Sequence, residues 1–205
     1  MRFSKVLWPA ALSASVFIGS MTVTTEAVAQ TAGKTTSTKI DPRQRERQLY
    51  TQAQSALNAK NSAEYNRLVK QLKNYPLLPY LEYQELSNRL FTLPKRDVQA
   101  FFTNYPDSYL SERLTHRWLR TLAQREQWTD YLHFYDKRLS DPELACLQLR
   151  ARLATGDKTA LEDVAPLWNV EKAQSKACDQ VFADWRKAGL MTPDIIWSRH
   201  QKALK

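Results

Sequence analysis

The fold of this chain is decided by residues 107–127, which read DSYLSERLTHRWLRTLAQREQ. Apolar side chains recur in this stretch at spacings of three and four, the period of one face of an α-helix. That face comprises Leu110, Leu114, Trp118, Leu119 and Leu122. The opening aspartate is a residue type that caps helix starts. We predict an amphipathic helix from Asp107 to Gln127 that buries its leucine face.

The same chemistry opens other helices along the chain. A short polar side chain satisfies free amides at a helix start, and proline in the first turn loses no hydrogen bond. Helix starts are predicted at Asp41-Pro42, Pro79, Asp107, Asp141-Pro142 and Thr192-Pro193. Asn61 to Glu64 resembles a capping box that opens a further helix. Gly156 fits a left-handed helix stop.

The predicted helices group into pairs that open near residues 41, 79, 107, 141 and 175, which is the period of stacked helical hairpins. No sequence word recurs between pairs, and the tetratricopeptide pattern is absent. After residue 29 the chain has 24 Leu against 8 Ile plus Val, and the whole chain has only 4 Gly. This balance disfavours sheets. We expect an all-α fold, an irregular α-solenoid or superhelix of short antiparallel helix pairs.

The N-terminus has the features of an export signal. Arg2 and Lys5 precede an apolar run at 6–18, and Ala27-Val28-Ala29 matches a cleavage site with its key alanines at Ala27 and Ala29. The run is shorter than the roughly 20 residues of a membrane span, so no stable membrane anchor is expected.

These features divide the 205-residue chain into three segments. We predict a signal peptide at 1–29, a disordered leader at 30–40 and an α-superhelical domain at 41–205. The product is expected in an oxidising compartment, which is the periplasm if the source is a Gram-negative bacterium.

Net charge indicates the class of partner. The whole chain carries +9, and the segment after residue 29 has 28 basic and 20 acidic residues, or +8. A basic exported protein meets anionic wall polymers, although the same charge also serves solubility. No nucleic-acid motif is present, so no nucleic-acid partner is expected. Arg113, Arg117 and Arg120 form a stripe that is either a binding face or a solvated one.

The chain offers no evident catalytic residue. His116, His133 and His200 are isolated from one another, so neither a metal site nor a cofactor is predicted. Glu82 and Glu85 lie on one predicted helix, where two such carboxylates are ordinarily surface. Aromatic residues form two clusters whose helical spacing favours core packing, with a sugar-stacking platform as the alternative. The clusters are Trp118, Trp128, Tyr131, Phe134 and Tyr135, and Phe182, Trp185 and Trp197.

Cys146 and Cys178 lie in predicted helices of adjacent repeats within an exported chain. They are expected to form a structural disulfide, with two buried free thiols as the alternative. A catalytic redox pair would be a Cys-x-x-Cys, which this is not.

Three stretches carry a resemblance to a known family. They are YPLLPYLEY at 75–83, the Ala145-Cys146 helix, and ACDQVFADWR at 177–186. Their order and spacing resemble the N-terminal superhelical region of the soluble lytic murein transglycosylases, with coverage from about residue 42 to the end. In that family a ring of short helices supports a C-terminal lysozyme-like domain that cleaves peptidoglycan and leaves a 1,6-anhydro product. Both cysteines fall where the family has them.

The family's catalytic Glu-Ser and Gly-Leu-Met-Gln motifs are not found in the chain. Gly189-Leu190-Met191-Thr192-Pro193 imitates the second motif, but it fits a helix stop followed by a helix start. The chain is therefore expected to be a truncated scaffold whose partners are peptidoglycan and the missing catalytic domain. The alternative is a non-enzymatic periplasmic helical-repeat adaptor that binds protein or wall polymer.

Overall fold

The computed structural model describes residues 42–204. The predicted signal peptide with Ala27 and Ala29, the leader, Asp41 and Lys205 lie outside the described residues. Within 42–204 the chain is helical and contains no strand.

Ten α-helices follow one another along the described chain, joined by short turns. They are α1 (Pro42–Asn58), α2 (Ser62–Val69), α3 (Leu78–Asn88), α4 (Lys95–Asn104), α5 (Tyr109–Gln124), α6 (Trp128–Phe134), α7 (Pro142–Ala154), α8 (Ala165–Trp168), α9 (Asp179–Lys187) and α10 (Pro193–Ala203). Short 3-10 helices lie at Leu90–Thr92, Lys158–Asp163 and Lys176–Cys178. The all-α, superhelical prediction is confirmed.

Most helix starts use the predicted chemistry. The Asn61 side chain accepts a hydrogen bond from the Glu64 amide at 3.1 Å. Asp141 caps α7 by accepting from two amides, and Thr192 caps α10. Proline occupies the first turn in both of these helices and in α3. These side chains satisfy amides that have no partner inside the helix.

Two predicted details of these starts are wrong. The cap of α5 is Ser108, whose Oγ accepts from the Ser111 amide at 3.1 Å, and Asp107 instead has a left-handed φ of 54°. The carboxylate of Glu64 pairs with Arg67 at 2.6 Å and does not complete a capping box. The cap of α5 therefore lies one residue later than the sequence pattern indicates, and the Glu64 carboxylate is taken up by Arg67 on the same helix.

The core runs in three consecutive clusters. The first packs α1, α2 and the start of α3, the second extends from the end of α3 to α7, and the third joins α7 to α9. Leu144 and Leu147 of α7 belong to the second cluster, whereas Cys146 and Leu149 belong to the third. Burial on two faces makes α7 the helix that connects successive parts of the solenoid.

Large aromatic side chains fill these clusters, as predicted. Trp118 and Trp185 are each 1% exposed, and Tyr131 is fully buried with its hydroxyl donating to the Leu144 carbonyl at 2.7 Å. Trp197 of α10 differs from them, because 62% of its surface is exposed. For this residue the core prediction is wrong, and its ring contacts His200 of the same helix at a centroid distance of 5.5 Å.

A disulfide joins Cys146 of α7 to Cys178, with an S–S distance of 1.98 Å and a Cα–Cα distance of 5.0 Å. Both cysteines are fully buried in the third cluster. The predicted bridge is confirmed, and the alternative of two free thiols is wrong. Among the described residues, no helix has both the length and the apolar composition that a membrane crossing requires.

Candidate basic face and acidic cleft

The predicted basic stripe lies along α5, where spacings of four and three residues place its arginines on one side of the helix. Arg113 and Arg117 are exposed, and the Arg120 side chain is 37% exposed. The structure therefore brings the three residues to one face, but their surroundings differ.

Arg120 is held between two carboxylates of the α7 start. Its Nη2 lies 2.7 Å from Asp141 Oδ2 and 3.0 Å from Glu143 Oε2. The pKa of Arg120 is raised, and its hydrogen bond to Glu143 is the largest cause. Burial opposes this effect, and the charges of Glu143 and Asp141 add to it. This arginine fastens α5 to α7, and its charge is neutralised locally.

Arg117 extends in the other direction, toward α3. Its guanidinium lies 3.4 Å from the Tyr83 hydroxyl and 3.4 Å from the Ser87 carbonyl. Burial alone would raise the pKa of Tyr83, but the interactions with Arg117 and with the nearby Ser87 side chain outweigh it and lower that pKa. Arg113 makes no hydrogen bond or ion pair within residues 42–204. It is thus the member of the stripe whose charge is most available to a ligand.

Glu82 and Glu85 do not lie on an open surface. They line a cleft of about 600 Å³ formed by α2, α3, α4 and the α1–α2 turn, which we call the α3 cleft. Neighbouring helices fold over the polar side of α3, an arrangement that helical spacing within α3 cannot reveal. The only sequence signal was the pair of glutamates itself.

The acidic groups of the α3 cleft have different partners. Arg89 pairs with Glu85 and, at 3.1 Å, with Asp97 of α4. The hydrogen bond to Glu85 is the largest cause that raises the pKa of Arg89. Glu82 instead interacts with the Tyr105 phenol, whose pKa is raised by burial and then by that interaction.

The histidines are distributed as the sequence suggested. His116 Nδ1 lies 3.3 Å from Asp141 Oδ2, and His133 Nε2 lies 3.4 Å from Gln99 Oε1. Within residues 42–204 no group of three His, Cys, Asp or Glu side chains is arranged to hold a metal ion. Gly189, with φ 74°, follows the end of α9, and Thr192 caps α10, so the motif imitation at 189–193 is a helix boundary.

Comparison with known proteins finds relatives of this chain. The soluble lytic murein transglycosylases of Salmonella typhimurium and of Escherichia coli K12 are each 30% identical to the chain over 168 residues, or 82% of its length. The chain is a homologue of one part of the soluble lytic murein transglycosylases. It spans 26% of the length of these relatives. No family model matches the sequence.

Solved structures of soluble lytic transglycosylases share the fold. An inactive mutant of the lytic transglycosylase Slt from Pseudomonas aeruginosa matches with 38% identity and a TM-score of 0.68, covering 76% of this chain and 25% of that one. The 70-kDa enzyme of Escherichia coli matches with 30% identity and a TM-score of 0.71, covering 80% and 26%. A complex of the 70-kDa soluble lytic transglycosylase with bulgecin A matches with 30% identity and a TM-score of 0.72.

Proposed function

We propose that this chain is the N-terminal helical scaffold of a periplasmic lytic murein transglycosylase, which serves peptidoglycan cleavage and turnover without carrying the catalytic glutamate. The observation that carries the proposal is the joint sequence and structural similarity to enzymes named for acting on murein. A solenoid with interrupted helices suits a scaffold, because stacked helix pairs present extended surfaces.

The proposal includes two partners. One is peptidoglycan, an anionic polymer that suits the net charge of +8 on the segment after residue 29. The other is the lysozyme-like catalytic domain of such an enzyme, which the scaffold would hold beside the glycan strand. The predicted signal peptide at residues 1–29 supports the periplasm as the place where the chain would contact both partners.

The basic face of α5 is the proposed contact with the polymer. Arg113 has no ionic partner in the described chain, and Arg117 is exposed while contacting only neutral groups of α3. Arg120 belongs to the same face, but Asp141 and Glu143 already occupy its guanidinium. Exposed ion pairs each contribute about 0 to 1 kcal/mol, so several must act together and salt should weaken them.

A pull-down on isolated sacculi tests this contact. The chain should be retained at low salt and largely released by half-molar salt, because the Debye length shortens from about 10 Å at 0.1 M toward about 3 Å at 1 M. Arg113→Ala combined with Arg117→Ala should reduce retention at low salt. Arg186→Ala is the matched control, because this exposed arginine lies on α9, outside the stripe.

Leaving Arg120 intact keeps the α5–α7 contact in both variants. Equal retention of the double variant and the control would contradict the basic-face contact. No retention of the unaltered chain at any salt would favour the adaptor that binds protein instead.

A further inference from the structure

The α3 cleft contains a buried phenol that the scaffold does not use. Tyr65 of α2 is 6% exposed, lines the cleft, and its hydroxyl has no hydrogen-bond partner among the described residues. The ring is buried, but the hydroxyl oxygen is not among the fully buried side-chain atoms of the described residues that lack a partner, so it reaches the space of the cleft and is free to bond a ligand. The hydroxyl faces the acidic side of the cleft, where the charges of Glu85 and Glu82 add to burial in raising the pKa of Tyr65.

Glu82 is the carboxylate in this cleft that lacks a basic partner. Arg89 takes up both Glu85 and Asp97, whereas Glu82 interacts with the neutral phenol of Tyr105. No ion pair to Glu82 occurs within residues 42–204. Glu82, an acceptor, and Tyr65, a donor, therefore both line the cleft and make no hydrogen bond to each other.

The other walls of the cleft restrict the charge of a ligand. Lys60 and Arg89 line it together with three carboxylates, so neither a cationic nor an anionic ligand meets charges of only one sign. Amide side chains of Asn66 and Asn104 add donors and acceptors at the rim. A neutral ligand with many hydrogen-bonding groups fits these walls best.

The remaining surface of the cleft is apolar. Leu86 and Phe101 are buried core residues that contribute its floor, with Val69 beside them. A sugar ring has hydroxyls that both donate and accept, and a face of C–H groups that packs on apolar surface. The volume of about 600 Å³ lies in the range of small-molecule sites, about 300 to 1,000 Å³.

We propose that the α3 cleft is a binding site for a neutral sugar unit of a glycan, in which the Tyr65 hydroxyl and the Glu82 carboxylate bond the sugar hydroxyls. This inference rests on the proposed function, because the scaffold role supplies the glycan. It assigns recognition of the sugar backbone to the cleft and attraction of the charged polymer to the basic face.

Titration with the neutral tetramer of N-acetylglucosamine, followed by NMR in half-molar salt, tests the site. Millimolar tetramer should shift resonances of residues around the cleft. Tyr65→Phe and Glu82→Gln should each weaken binding about tenfold, the loss of roughly one well-placed hydrogen bond. Tyr83→Phe is the matched control, since it removes a phenol on α3 that contacts Arg117 and not the cleft.

Tyr65→Phe deletes a hydroxyl without a protein partner, so the variant should unfold at a temperature no lower than the unaltered chain. That keeps a loss of binding distinct from a loss of folding. No binding of the tetramer, or equal binding by both cleft variants and the control, would overturn the proposal. Glu82-dependent binding of free lysine in place of the tetramer would also overturn it.

These outcomes are separate from the sacculus experiment, which depends on charge and is performed with different variants. Salt-sensitive retention on sacculi without tetramer binding would leave the scaffold function standing and remove the cleft site. Tetramer binding without retention on sacculi would support the cleft and contradict the basic-face contact.

Discussion

The three arginines of the α5 stripe differ in their surroundings, although they lie on one face of the helix. Arg120 is three residues from Arg117 on the same face, yet of the three arginines only Arg120 pairs with the two carboxylates at the start of α7. The sequence predicted the common face correctly, because helical spacing determines it. It could not predict the neutralisation of Arg120, because this depends on where the start of α7 lies against α5.

Asp141 is the central residue of that contact, and its role depends on charge. Burial alone would raise its pKa, but the amides of Leu144 and Glu143 and the charge of Arg120 outweigh burial and lower it. A carboxyl whose pKa is lower in the folded state stabilises the fold above its unfolded pKa of about 3.9. That contribution is lost as the pH falls from about 5 through the folded pKa.

Asp141→Asn keeps a side chain that caps helices and removes the charge. We expect it to lower the free energy of unfolding by about 1 to 2 kcal/mol at pH 7, the size of charge-assisted hydrogen bonds. The difference from the unaltered chain should shrink as the pH falls below 4. Urea unfolding at several pH values measures it, with the exposed Asp179→Asn as control, and a difference independent of pH would contradict the charge-based role.

The disulfide is the second residue-scale prediction. Cys146 and Cys178 enclose a long loop, so replacing both by alanine should lower the free energy of unfolding by roughly 3 to 4 kcal/mol. Dithiothreitol should destabilise the unaltered chain by a similar amount and leave the double variant unchanged. Equal urea midpoints for the oxidised chain and the double variant would show that the bridge contributes nothing to stability.

At the scale of elements, a left-handed residue repeatedly joins one helix to the next. Three non-glycine residues with positive φ each stand immediately before the N-cap of the following helix, and Gly156 with φ 95° stands before the cap of a 3-10 helix. The three are Lys60, Asp107 and Glu126. This conformation turns the chain within one or two residues, which explains how short helices pack as antiparallel pairs.

Gly156 tests this account of the turns. A Cβ at this position would meet no atom within 4 Å, so Gly156→Ala adds backbone strain without a steric clash. We expect Gly156→Ala to lower the free energy of unfolding by about 1 kcal/mol. Glu126 has a left-handed φ of 54°, so Glu126→Gly should remove strain and raise the free energy of unfolding by about the same amount. Urea unfolding of both variants checks it, and a stabilised Gly156→Ala would contradict the account.

The helices were predictable where a cap or a proline marks their first turn. α7 and α10 began at the expected residues because their caps act locally. α4 had no comparable signal, since its N-cap is Pro94 and no side chain caps it. The α3 cleft was not predictable, because it depends on the packing of α2 and α4 against a helix that looked like plain surface.

For residues 42–204 as a whole, the core consists of three clusters in chain order, and the α3 cleft and the basic face of α5 lie at different places along them. The α3 cleft lies beside the first and second clusters, whereas the disulfide secures the third. The leucine face of α5 packs in the second cluster, and the basic face lies on the other side of the same helix. Composition indicated an anionic partner from net charge alone, but the surface that meets it depends on how successive helix pairs stack.

The scaffold proposal holds that this chain binds peptidoglycan and performs no cleavage. Its most direct test is incubation of the purified chain with isolated sacculi, measuring bound protein and soluble anhydro-muropeptides in the same sample. We expect salt-sensitive binding and no release of anhydro-muropeptides, while an active lytic transglycosylase added to a parallel sample releases them. Release of these products by the chain, reproduced by protein free of contaminating enzyme, would contradict the claim.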